Sequence, residues 1–583
     1  MDSESQNDAL AQEKELLASV ADKGAGEKVK TYAKLCGPGW LQSAITLGGG
    51  SLVGALGLGV IGGTGFMWVQ PVAMILGVIM LSAIAYVTLS TGERPFQAIN
   101  SHVSPVLGWG WLVATMLANM IWCLPQFNLA FGAVTSNLAP DLVSDPKNNL
   151  TAKIIISGIV LGIATLVIWS YGTGSKGVKL FENILKALVG LIVLSFIGVV
   201  IALTFAEGSS LKWGEVFAGF VPDLSALFKP APTFQAAIDQ LNAADAKAWT
   251  ETIASKQRDT IITAVGTAVG INMTFLLPYS MLRKGWNRDF RGLAIFDLST
   301  GLLIPFMLAT GCVVISAASQ FHATPAAGFL GEKDENGALV EPAKNLVGPY
   351  NGLLAKRVKA DMTAEELAAF DALSEDDQKA KLTPLTAALP VEEKTMAAML
   401  VKRDAFNLAA TLEPLVGKTV SQYVFGFGVL GMALNAATML MLINGLCWCE
   451  LRNRAPKGMT QRIGSLMVCV GILGPFLWTG DAKMWLAVPT SVFAMVLLPI
   501  AYVVFALMMN NKTILGKDMP TGRKRIVWNV LMAGSCTFAA IGSLWSLWSK
   551  LGVLGLILFA IFIIVVVATR GMIKKPAAEA TEA

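Results

Sequence analysis

Between Lys34 and Glu93 the chain has no Asp, Glu, Lys or Arg. A stretch of that length cannot cover a soluble surface, and a helix needs only about 20 apolar residues to cross about 30 Å of hydrocarbon. This one stretch therefore holds two membrane spans. Residues 106–140 and 419–449 are charge-free as well. Over all 583 residues 54% are hydrophobic and 15% charged, against about 25% charged in soluble domains. These features exclude a soluble globular protein, a nucleic-acid-binding protein and a disordered scaffold. A β-barrel needs alternating apolar and polar residues, and the runs here are continuous. The fold class is all-α, polytopic and membrane-embedded.

Charge-poor windows bounded by charged or turn-rich segments give about twelve spans. They lie near 35–60, 66–90, 107–138, 154–171, 187–205, 260–282, 293–318, 420–449, 463–478, 484–509, 527–548 and 551–569. The chain divides into a polar tail (1–34), seven helices (35–319) with an outer loop (207–259), a hydrophilic cap loop (320–418), helices eight to ten (419–509), two additional helices (510–570) and a second tail (571–583). No secretory signal is read in the polar first 30 residues, so the first span serves as the insertion signal. Arg94, Arg283, Arg288, Arg291, Arg452, Arg454, Arg462, Lys524 and Arg525 fall in loops on one side, while the short loops opposite carry Lys147, Lys483 and Lys550. By the positive-inside rule both termini face the cytoplasm, in a plasma or inner membrane, with the cap outside. Within the cap, Thr363 with Glu366 and Ser374 with Asp377 have the spacing of capping boxes that open helices. The seven cysteines lie in or beside apolar spans and read as small core residues. Cys447 and Cys449 point about 200° apart on a helix and cannot grip one metal.

Helix breakers inside spans are the functional pointers, because irregular backbone at membrane depth is tolerated only where protein buries it or it lines a wet cavity. Gly48-Gly49-Gly50-Ser51 interrupts span one. The competing reading is a tightly packed helix of the small-residue type. Span six is interrupted at Gly266 to Thr274, with Gly270 inside the interval and Pro278 after it. Interruptions at matching places in two halves mark the binding site of an inverted-repeat transporter. Span one opens the first five helices and span six the second five, which predicts a five-plus-five core with unwinding at Gly48–Ser51 and Gly270–Thr274.

Span one also reads Gly37-Pro38-Gly39-Trp40-Leu41-Gln42-Ser43 ahead of Leu47-Gly48-Gly49-Gly50-Ser51. This resembles the first helix of the Nramp divalent-metal transporters, in which a Gly-Pro-Gly-aromatic-Leu-x-Ser opening leads to an Asp-Pro-Gly-Asn break. The span count and Leu498-Pro499-x-Ala501 in span ten are also similar. The resemblance implies the five-plus-five fold of amino-acid and cation transporters, and metal-ion transport. The chain departs from the family at the site. The family's metal-binding Asp falls at Gly48, its Asn at Ser51 and its span-ten Gln at Ser491. The Gly-Gln-Ser-Ser-Thr of span eight is here Leu434-Asn435-Ala436-Ala437-Thr438. The Met-Pro-His of span six is absent. One register places Asn272 at the methionine and Thr274 at the histidine, and a second places Gly270 and Asn272 there.

Thioether selects soft transition metals and carboxylate supplies compensating charge; both are missing at the matched positions. The expected substrate contacts are Gly48, Gly50, Ser51, Gly270, Asn272, Thr274 and Ser491. Any metal contact falls to Ser51, Asn272 and Thr274, with oxygen rather than the sulfur of Met273 making it. Such a site suits a largely hydrated hard cation such as Mg²⁺, or a small neutral or zwitterionic solute. Gln42 and Thr46, one turn apart, are candidates for the lower cavity. Asp297, the one acid well inside a span, is either a helix-end partner of Arg291 or Lys284 or part of a coupling relay. Glu182 and Lys186 are spaced for an i,i+4 ion pair. In span three, Asn119, Gln126 and Asn128 are either interhelical hydrogen-bonding groups or part of a pathway. The leading function is a secondary transporter working by alternating access. A receptor that kept the fold and lost the site is the reading from another class. No cofactor is expected, no Walker A motif is present and no catalytic constellation points to an enzyme. The expected partners are the substrate and the lipid bilayer.

Overall fold

The computed structural model describes residues 2–20, 22–143, 145, 148–171, 175–208, 211–334, 336–477 and 495–569. Among them the only β-pairing is an isolated bridge between Lys333 and Leu339. Among the described residues ten helical runs are long and apolar enough to cross a membrane, and an eleventh is reached if Leu498–Met509 and the bent turn after it count as one span. The last run, Gly522–Ala568, is divided at Gly552, whose φ of 56° breaks the helix. At 1.5 Å per residue this run is about twice the thickness of a bilayer, so the break separates spans eleven and twelve. The protein is thus a polytopic helical membrane protein with a five-plus-five inverted-repeat core and two added helices.

Local sequence sets several ends. Span three begins at Pro105, where Ser104 accepts from the Leu107 amide, a capped N-terminus with proline at its first position. Span two, Val69–Thr91, stops at Gly92 in the left-handed conformation (φ 68°), the usual glycine C-terminus. Span seven widens to a π turn over Leu298–Leu302, where the Gly301 carbonyl accepts from Ser43 of span one at 2.6 Å.

Span one consists of two half-helices, Pro38–Thr46 (1a) and Gly49–Gly62 (1b). Span six likewise consists of Ala243–Ala268 (6a) and Ile271–Arg283 (6b). Half-helix 1b lies against 6a, and 1a against 6b, so the two interruptions meet side by side as an inverted repeat requires. The breaks are narrower than expected. Gly50 and Ser51 are already helical in 1b, and Asn272 and Thr274 in 6b; only Leu47–Gly48 and Val269–Gly270 leave the helical conformation. One extended residue at each glycine suffices as an N-cap, and helix resumes at the next. The other glycines of 1b serve the packing alternative. A Cβ on Gly54 would lie 3.1 Å from the Ala264 backbone, and one on Gly59 2.6 Å from the Val314 carbonyl oxygen.

Span six is longer than its apolar window, because 6a continues outward to Ala243 and carries part of the loop assigned to 207–259. This extension holds the cap, whose helices are Lys344–Ala360, Ala364–Asp371, Glu375–Ala388, Val391–Leu400 and Ala405–Lys418. Thr363 and Glu366 form the reciprocal capping box, and Ser374 accepts from the Asp377 amide. Arg357 of the cap, nearly fully buried, is paired with Asp245 of 6a and with Glu393 and Asp361. Trp249 of 6a donates to Glu393 at 2.9 Å. At the end of 1b, His322 Nδ1 donates to the Val60 carbonyl at 3.1 Å, while its Nε2 lies 2.6 Å from Thr233 Oγ1.

Candidate functional site

Proline at the start of 1a fixes a helical φ where no amide hydrogen is needed. The free amides of Gly37 and Gly39 both donate to one oxygen of Asp297, at 3.1 and 2.7 Å. A carboxylate at a helix N-terminus complements the dipole and satisfies orphan donors. Asp297 is therefore the anchor of 1a on span seven. It pairs with neither expected partner: Arg291 bonds Asp518, and Lys284 lies 3.1 Å from Glu182. The expected Glu182–Lys186 pair is also absent, since Glu182 turns to Lys284 while Lys186 donates to the Cys36 carbonyl at 3.3 Å. Pairing across elements closes spans one, five and six together, which a pair within one helix turn would not do.

At the first break Gly48 is extended (φ −125°, ψ −176°) and provides no side-chain cap. The Gly49 amide donates to Gln126 Oε1 of span three at 3.0 Å, so a neutral amide caps 1b. Gly48 has no room for a side chain: a Cβ there would lie 2.7 Å from Ala436 Cβ of span eight. The space a side chain at Gly48 would need is thus filled by an alanine from the opposite wall.

The hydroxyls tie the two breaks together. Thr46, the last residue of 1a, donates to the Ala268 carbonyl at 2.5 Å, at the end of 6a. Its oxygen is 3.1 Å from the Met273 sulfur. Ser51 Oγ is 2.6 Å from the Thr46 carbonyl and 3.1 Å from the Thr267 carbonyl. Helix ends leave carbonyls without intrahelical partners, so these oxygens are available to a hydroxyl or to a ligand.

Of the residues expected in span six, Gly270 is the extended break residue and lies against Trp122. Asn272 Oδ1 accepts from the Met273 amide at 2.9 Å, and Thr274 Oγ1 accepts from Trp111 at 3.0 Å. Both side chains are therefore engaged in holding 6b, while Met273 sits at the junction with 1a. The structure brings together Gly48, Thr46, Ser51 and Gly270, and adds Gln126 and Met273. Gly50 lies on the flank of 1b, facing Thr267. Ser491 falls outside the described residues. Gln126 was legible as a polar residue in an apolar span, but nothing in the sequence aimed it at Gly49.

Further polar groups are buried in spans one, three and eight without hydrogen bonds among the described residues: both amide atoms of Gln42 in 1a, of Asn119 in span three and of Asn435 in span eight. Buried amides require partners, so these side chains are candidates for contact with water or substrate. Among the described residues no group of three or more His, Cys, Asp or Glu is arranged to hold a metal ion. The junction instead presents hydroxyls, backbone carbonyls, a side-chain amide and one thioether, all neutral.

A family model described as natural resistance-associated macrophage protein-like matches residues 39–358 and 385–546. No curated protein matches the chain by sequence. Among solved structures, the manganese transporter of Eremococcus coleocola is similar in fold. One mutant form of it aligns over 93% of this chain and 94% of its own, with 13% identity and a TM-score of 0.50. The same transporter in complex with an aromatic bis-isothiourea substituted compound aligns over 94% of each chain, with 13% identity and a TM-score of 0.53.

Proposed function

Because the chain belongs to the natural resistance-associated macrophage protein-like family, we propose that it is a secondary transporter that carries a divalent cation by alternating access. The observation that carries this reading is the junction of the two broken helices, closed by Thr46 on Ala268 and by Ser51 on Thr46 and Thr267. In this state the oxygens best placed for a cation bond one another. Movement of 1a away from 6a and 1b breaks the Thr46 bonds and frees the Thr46 and Ala268 carbonyls. The site is neutral, so a stripped divalent ion would meet no compensating charge, at a large desolvation cost. A hard cation that keeps several waters, such as Mg²⁺, suits it best. Met273 supports a second reading, because a thioether beside Thr46 favours a softer ion such as Mn²⁺.

Uptake of Mg²⁺ and Mn²⁺ into proteoliposomes separates the readings. Hydrated-cation transport requires saturable Mg²⁺ uptake that Thr46→Ala impairs more than Met273→Ala. Robust Mn²⁺ uptake that Met273→Ala abolishes supports the soft site. Uptake of a labelled small neutral or zwitterionic solute with neither ion carried refutes the cation reading. The orientation proposed, with both termini cytoplasmic in a plasma membrane and the cap outside, is supported by the Arg and Lys distribution. An introduced cysteine at Glu375 should react with an impermeant reagent outside intact cells, and one at Arg291 should not; the reverse pattern inverts the topology.

A further inference from the structure

The loop between spans five and six carries an apolar surface turned away from the protein. Trp213, Phe217, Phe220, Val221, Leu224 and Phe228 are all exposed, Phe217 to 66% and Phe228 to 74%. Between Lys212 and Lys229 the only charged residues are Glu215 and Asp223. The inward side of the same segment is buried through Val216, Gly219 and Ala226. The segment therefore has two faces, one packed on protein and one bare.

Its depth is fixed by the backbone. The Trp68 amide donates to the Gly219 carbonyl at 2.9 Å. Gly219 cannot take a side chain, since a Cβ would collide with the Thr64 carbonyl oxygen. Trp68 immediately precedes span two, whose 23 residues rise about 34 Å at 1.5 Å each, a bilayer's hydrocarbon thickness. Gly219 is thus pinned where span two enters the hydrocarbon. Aromatic and aliphatic side chains at that level belong at the boundary between headgroups and acyl chains. Ile75, two turns into span two, is exposed as well.

We propose that residues 213–228 are a membrane-interface anchor, seated by these aromatic and aliphatic side chains in the leaflet on the cap side. The anchor holds the turn between half-helix 1b and span two at a set depth, so that 1b pivots against a point fixed in the bilayer.

The test uses the full chain in lipid nanodiscs, with exposed Cys469 replaced by Ser and a spin label placed in turn at Phe217→Cys and Phe228→Cys. Collision rates with oxygen, which partitions into lipid, and with a water-soluble nickel chelate report depth. At both positions oxygen should win, and at a Glu375→Cys control in the cap the nickel chelate should win. Nickel dominance at 217 and 228 would place the segment in water and overturn the proposal. Poor access to both reagents would place it in a protein contact and also overturn it, with dipolar broadening identifying that contact as a second copy of the chain.

Discussion

The absence of a side chain at Gly48 is a matter of space, and space can be tested. The backbone there is extended, a conformation open to any residue, so glycine is not required for its φ. A Cβ would stand 2.7 Å from Ala436 Cβ, whereas carbon atoms pack best at about 3.5–4.0 Å. The overlap is roughly 1 Å against a side chain one atom long, which cannot rotate away. Overpacking of this kind costs about 1–3 kcal/mol, so Gly48→Ala should lower the thermal midpoint of the detergent-purified protein. Gly48→Asp should lower it further without creating Mn²⁺ uptake. Ala436→Gly alone should cost about 1 kcal/mol through helix propensity. Combined with Gly48→Ala it should give a coupling of about 1–3 kcal/mol in the stabilising direction, as expected for residues in contact. Gly270→Ala should be milder, since its Cβ would meet the Asn272 side chain and the Trp122 ring. A Gly48→Ala midpoint equal to wild type, or a double variant no better than the sum of its parts, would refute the steric account.

Three further outcomes follow from the geometry. Asp297→Ala leaves the Gly37 and Gly39 amides buried without an acceptor; it should cost about 1–2 kcal/mol and increase hydrogen exchange in 1a, with Asp297→Asn recovering part of the loss. Arg357→Leu leaves Glu393, itself almost fully buried, without its ion partner. Breaking a buried pair costs about 3–5 kcal/mol, so exchange should rise across 344–400 while the membrane core stays protected. Burial lowers the pKa of His322 below its ordinary 6.5, so the unfolded chain takes up the proton first. The stability this neutral ring contributes is present above about pH 6.5 and is lost as pH falls below it. Between about pH 7.5 and 5.5 the thermal midpoint of wild type should therefore fall more than that of His322→Gln.

What the sequence determined by itself was the solvent of each segment and the places where helix had to stop. Charge-free runs of bilayer length leave no other fold class, and glycine at the middle of spans one and six marked the breaks because an interrupted backbone in lipid must be satisfied by protein or water. Glycine content did not separate the extended residue, Gly48, from glycines that serve close packing, such as Gly54 and Gly59. That distinction depends on which helix lies opposite. The tertiary structure alone decided the partners of the polar residues. Asp297 caps half-helix 1a instead of pairing with a neighbouring cation, Glu182 reaches across to Lys284, and Gln126 caps 1b. These contacts join residues 77 to 260 positions apart, and no local pattern encodes them. The same holds for Asn272, Met273 and Thr274. They are consecutive in the chain, but a helix directs successive side chains about 100° apart, so only the packing of 6b against 1a placed the sulfur at the junction and left the two oxygens to hold the helix.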